Sequence, residues 1–222
     1  TSNGHPQGAS AASTDASSSS GSVKDSTTDV LQRLAQANEK VWLQSGGLYE
    51  LMYESGKALS CYSVALKYNP YSFRALVQMA TVHRSREEFS EAVDFFQRAL
   101  QVDGNNGEAW GALGHCFLMM DDLAKAFAAY QQALFHMENP RDPDLWYGIG
   151  ILYDRSGSVE HAEEAFSTVL RVDPNFEKAN EIYFRLGINY KQQQQYIKSL
   201  ECFRFILQDP PKPLVEADIW FQ

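Results

Sequence analysis

One interval governs this chain. A large aromatic or aliphatic residue returns at Trp42, Leu76, Trp110, Trp146, Tyr183 and Trp220, with spacings of 34, 34, 36, 37 and 37 residues. Four residues after each of the first five stands a small one: Gly46, Ala80, Gly114, Gly150 and Gly187. Sixteen residues after each stands another: Ala58, Ala92, Ala126, Ala162 and Ser199. A period of that size with a fixed internal register describes a stacked supersecondary unit rather than one enclosed core. The clearest copy, residues 145 to 174, sets Trp146, Gly150, Tyr153, Ala162, Phe166 and Pro174 at intervals of 4, 3, 9, 4 and 8. Those intervals predict two short amphipathic helices folded against each other and closed by proline.

The small positions have a physical reason. Antiparallel helices approach to about 8–10 Å only where the side chains at the crossing are small. The glycine or alanine of the first helix is therefore expected to meet the alanine of the second. Tyr49, Phe117, Tyr153 and Tyr190, with Tyr62, Phe96, Tyr130, Phe166 and Phe203, then fill the surrounding space, and His83 replaces the aromatic in the second copy. Polar turns such as SREEFS, MDDLA and RSGSVE join the two helices, and connections such as KYNPYS and MENPRDPD join the units. This gives repeats at residues 39–72, 73–106, 107–142, 143–179 and 180–216, and the start of a sixth at 217–222. Val30, Leu31 and Leu34 make 29–38 a helical lead-in. Residues 1–28 are nearly all Ser, Ala, Thr, Gly and Asp, too few apolar groups to offset an ordering cost of about 1–2 kcal/mol per residue, and are expected to form a disordered leader.

Composition narrows the function. The chain is 44% hydrophobic and 13% aromatic, enough for a sizeable core, and no apolar run approaches the roughly 20 residues of a membrane span. Cys61, Cys116 and Cys202 are odd in number and far apart, which reads as buried thiols in a reducing compartment. A net charge of −9 repels phosphates and argues against direct nucleic-acid binding. His115 and Cys116 are neighbours and point about 100° apart on a helix, so no metal site is expected. Asp121 with Asp122, and Glu163 with Glu164, are adjacent and cannot converge as acid and base. No catalytic residue and no cofactor site is expected.

Stacked helix pairs coil so that the first helix of each pair lines an inner groove. Relative to Trp146 and its counterparts, the groove positions are −2, +1, +5, +8 and +9. From these come the candidate partner-binding residues Arg74, Arg84, His115, Met119, Tyr147, Asp154, Arg155, Phe184 and Lys191. Apolar groups mixed with both signs of charge suit an amphipathic helix or an extended segment. Charge reversal at Arg155 combined with Tyr147→Ala is expected to weaken binding with the melting temperature unchanged.

Trp, Gly, Tyr, Ala, Phe, Ala and Pro at these positions resemble the tetratricopeptide repeat family over about residues 39 to 222. The resemblance implies an all-α, right-handed superhelix of antiparallel helix pairs. LGHCFLMMDDLAKAFAAYQQAL, GIGILYDRSGSVEHAEEAF, DPNFEKANEIYFRLG and LECFRFIL, with the terminal DIWFQ, further resemble the repeat subunit of fungal general transcriptional corepressors. That likeness implies a nuclear, non-enzymatic scaffold. Its first repeats would hold a Tup-type WD-repeat corepressor, others would bind sequence-specific DNA-binding repressors, and repression would pass to chromatin or the transcription machinery. It also implies further repeats beyond Gln222. A repeat module of a larger chromatin enzyme, of the histone demethylase type, is the competing reading, as is an adaptor of another complex. The carboxylate clamp of chaperone adaptors needs Lys and Asn at +1 and +5, where this chain has Val77 and Thr81, Gly111 and His115, or Tyr147 and Ile151.

Overall fold

The computed structural model describes residues 19 to 207 apart from Asn139, with side chains from Thr27 onward. Residues 1–18 of the leader expected over 1–28, the end of the fifth repeat and the sixth-repeat start at 217–222 lie outside the described residues. Among the described residues there are ten helices and no strand. They run α1 (Ser19–Leu51), α2 (Ser55–Tyr68), α3 (Phe73–Ser85), α4 (Phe89–Val102) and α5 (Gly107–Met119), then α6 (Leu123–His136), α7 (Pro143–Arg155), α8 (Val159–Val172), α9 (Ala179–Gln192) and α10 (Tyr196–Ile206). Consecutive helices pair as five hairpins, and each hairpin packs on the next to form an α-solenoid. One apolar core runs from Ala80 through Cys116, Phe166 and Leu186 to Cys202, so burial is shared along the stack. All three thiols are free and buried.

Helix α1 begins ten residues before the expected lead-in, at Ser19 instead of Asp29. Once the apolar turns from Val30 onward nucleate the helix, each added residue brings one hydrogen bond, and residues 19–28 contain no proline to stop it.

The crossings hold both small residues and a ring. The Ser199 hydroxyl donates to the Gly187 carbonyl at 2.7 Å, and Ala58, Ala92, Ala126 and Ala162 are fully buried at the same register. Directly over each glycine lies the aromatic sixteen residues on: Tyr62 over Gly46, Tyr130 over Gly114, Phe166 over Gly150 and Phe203 over Gly187. The Cβ of an alanine at Gly150 would stand 2.5 Å from the Phe166 ring.

First helices begin on side-chain caps where a short polar residue precedes them. Ser72 accepts from the Ala75 amide, Asn106 from Ala109 at 2.8 Å, and Asp142 from Asp144 ahead of Pro143. The fifth repeat has Ala179 at that register, and α9 instead starts there without a side-chain cap. The indole of Trp110 donates to the Gly104 carbonyl at 2.9 Å and that of Trp146 to Pro140 at 2.8 Å. Tryptophan at the framework position thus fastens the connection that leads into its own helix.

Candidate functional site: the first-helix groove

Helices α3, α5, α7 and α9 are the first members of their hairpins, and α5 packs side by side with α7. The register assigns the candidate residues to the inner surface that such first helices line in a stacked array. Arg74 and Lys191 are exposed at its margins, Arg84, His115 and Phe184 are half-buried, and Met119 is exposed near the end of α5. Phe184 meets the ring of Phe203 edge-on at 6.1 Å.

Tyr147 departs from the partner-facing role expected of it. It is 9% exposed, with Phe176 at 5.6 Å and Phe166 at 6.4 Å between ring centroids. The cause lies in the connection between α8 and α9, which folds Phe176 onto the ring and sets the Lys178 ammonium 4.9 Å above it. Burial, then a hydrogen bond to Glu181, pushes the Tyr147 phenol well above its ordinary range. Ile151 and Leu118, also on the groove register, are buried as well.

Asp154 and Arg155 tie the stack together. Arg155 donates to the Leu118 carbonyl at 3.2 Å and reaches Asp121 at 3.4 Å, joining the fourth repeat to the third. Arg185 on α9 pairs with Asp154 at 2.6 Å and with Glu181 at 2.9 Å, joining the fifth repeat to the fourth. The spacing of Glu181 and Arg185 marks a helical i,i+4 pair in the sequence, but their cross-repeat partner depends on how successive hairpins rotate.

His115 sits midway along the groove. Burial first, then the nearby cations Arg84 and Lys178, lower its pKa from 6.5 to about 4, against an opposing pull from Asp144. The imidazole is therefore neutral at pH 7. At the next residue, which is fully buried, burial pushes the Cys116 thiol up to about 11, which disfavours the thiolate and fits a packing role. Lys178 lies in a connection outside the first-helix register, which is why that register did not single it out.

Two tetratricopeptide repeat patterns match the chain, over residues 71–139 and 117–183. The chain is 57% identical over 153 residues to the general transcriptional corepressor ssn6 of Schizosaccharomyces pombe, 69% of this chain and 14% of that protein. It is 55% identical over 153 residues to the corepressor trfA of Dictyostelium discoideum, 69% of this chain and 11% of that protein. With CYC8 of Saccharomyces cerevisiae it shares 52% over 155 residues, 70% of this chain and 16% of that protein. The chain thus spans well under a fifth of the length of these relatives. Among solved structures, YrrB, a repeat protein with an unusual peptide-binding site, superposes with a TM-score of 0.66 at 21% identity, covering 82% of this chain and 91% of YrrB. MamA superposes with 0.64 at 22% identity, covering 73% of this chain and 92% of MamA. With the ten helices of the described residues, rings seated on Gly46, Gly114, Gly150 and Gly187, a framework residue every 34 to 37 positions and these matches, the chain belongs to the tetratricopeptide repeat family.

Proposed function

We propose that the chain is the repeat scaffold of a nuclear transcriptional corepressor complex, bridging DNA-bound repressors to a WD-repeat corepressor partner. The observation that carries this reading is the 57% identity held over 153 residues with a general corepressor, against 22% with a structure that shares only the fold. A solenoid needs its glycines, rings and stacking positions, and identity limited to them stays near the lower figure. The surplus is more than the fold alone asks for. Arg84, His115, Met119 and Phe184 put charge beside apolar area in one groove, a surface suited to a peptide segment and not to a phosphate-rich ligand.

The test is affinity purification of the chain from nuclear extract, followed by mass spectrometry. A WD-repeat protein and sequence-specific DNA-binding factors are expected, with the latter reduced by Arg84→Glu combined with Lys191→Glu. Recovery of neither class from active extract overturns the proposal.

A further inference from the structure

Among the described residues only two lysine or arginine side chains are half-buried, those of Arg185 and Arg84. Arg185 is held by Asp154 at 2.6 Å and by Glu181 at 2.9 Å. The guanidinium of Arg84, at the +8 groove position of α3, makes no hydrogen bond or ion pair among the described residues. Glu88, one turn further on, is engaged by His83 at 2.7 Å and Arg86 at 2.9 Å, and Glu87 is exposed in the turn. A guanidinium that has lost part of its water and gained no anion is unfavourably placed. A ligand carboxylate supplies what the fold leaves out, in the two-pronged geometry that a guanidinium accepts.

The wall that Arg84 faces is uncharged. Burial is the main cause of the shifted pKa values of His115, Cys116 and Tyr130, and the charge of Arg84 acts on all three, so the guanidinium leans from the second hairpin onto the third. None of the three supplies an anion at pH 7: the imidazole is neutral, and burial keeps the thiol and the phenol protonated. The Tyr130 hydroxyl is itself buried without a partner. A second cation also acts on His115. This is Lys178, whose ammonium stands 4.9 Å over the Tyr147 ring and has no carboxylate partner among the described residues.

Charge selects the occupant. At His115 the cations Arg84 and Lys178 are opposed by Asp144, which leaves one positive charge in the groove of a chain of net charge −9. A singly charged carboxylate balances it, whereas a phosphate dianion overshoots and meets Asp144. We propose that Arg84 anchors an aspartate or glutamate side chain of the segment bound in the groove, with Lys178 adding a second favourable charge. The inference rests on the scaffold reading in taking the occupant to be a segment of a partner protein. It needs no chain terminus, unlike the carboxylate clamp, whose Lys and Asn positions this chain fills with other residues.

The test pans a library of random peptides, displayed between constant flanks so that no free terminus is offered, against the wild-type chain and Arg84→Gln. Wild type is expected to enrich Asp or Glu at one position of the aligned binders, and Arg84→Gln to lose that preference. The best binder is then synthesised with Glu, Gln or phosphoserine at that position. The Glu form is expected to bind at least about tenfold more tightly than the Gln form and no more weakly than the phosphoserine form. Arg84→Lys is expected to lose part of that affinity with the two-pronged contact, and Lys178→Gln a smaller part. The Glu form brings an anion beside His115, so the imidazole pKa read by NMR rises from about 4, while the Gln form leaves it in place. Arg84→Gln is expected to melt no lower than wild type, because no native partner is lost. No enriched binder, no acid preference, a preference that survives Arg84→Gln, tighter binding of phosphoserine, or a lowered melting temperature overturns the proposal. Purification from nuclear extract judges the scaffold reading separately: WD-repeat and DNA-binding proteins recovered alongside a library without acid preference remove this subsite alone.

Discussion

Gly46 and Gly47 are neighbours in α1 with opposite roles. A Cβ at Gly46 would enter the Tyr62 ring, while one at Gly47 meets nothing within 4 Å. Gly47→Ala is expected to stabilise the chain by about 0.5–1 kcal/mol through helix propensity, and Gly46→Ala to destabilise it by about 1–3 kcal/mol through overpacking. Urea unfolding of the two variants separates them, and equal midpoints would remove the crossing argument. Tyr147 carries a correction of the same kind. With Phe166 and Phe176 against its ring, Tyr147→Ala leaves a cavity and is expected to cost about 3 kcal/mol or more, so the melting temperature falls and binding loss in that variant cannot be read as a lost contact. His115 makes stability depend on pH. Its folded pKa of about 4 lies below the ordinary 6.5, so the unfolded chain takes up the proton first and stability drains away as pH falls from 6.5 through 4. The full loss is of order 3 kcal/mol, and His115→Gln is expected to flatten that limb in urea titrations at pH 7, 5.5 and 4.

The turns inside the hairpins hold a regularity the sequence conceals. Tyr53, Glu87, Asp121, Gly157 and Gln194 each lie eleven residues after the framework position, and all have φ between 58° and 77°. Only one is glycine, so composition gives no sign of a left-handed position in the other four. A non-glycine residue there carries about 1–2 kcal/mol of steric cost. Glu87→Gly is expected to recover about 1 kcal/mol and Gly157→Ala to lose a similar amount, read from thermal midpoints; opposite signs would show that turn side-chain contacts outweigh the backbone term. The hairpins themselves were legible because their constraints are local: a glycine and its ring are always sixteen residues apart, and proline or a polar cap sits at a fixed offset. The groove was legible only in part. Register gave Arg84, His115, Phe184 and Lys191 a place on it, but burial of Tyr147 depends on Phe176 in a connection, and the Asp154–Arg185 pair depends on superhelical rotation between repeats. Neither is encoded by spacing within one unit.

Because each hairpin touches only its neighbours, stability in such a stack is a sum of unit and interface contributions. The central units have two interfaces. The fifth has Asp154–Arg185 and the packing of α8 on α9 toward the fourth, while α10 presents Ile197, Leu200 and Phe205 at 51–77% exposure. Amides of α5 and α6 are therefore expected to exchange more slowly than those of α9 and α10. Joining further repeats after Gln222 would add an interface to the fifth unit, raising protection in α9 and α10 while leaving α5 and α6 close to their former values. Replacing Arg185 by Leu in the same chain works in reverse. It leaves Asp154 half-buried without its cation and is expected to loosen α9 and α10 first. Native-state hydrogen exchange reads all three effects, and uniform protection from α3 to α10 would mean that the stack unfolds as one unit and not from its ends.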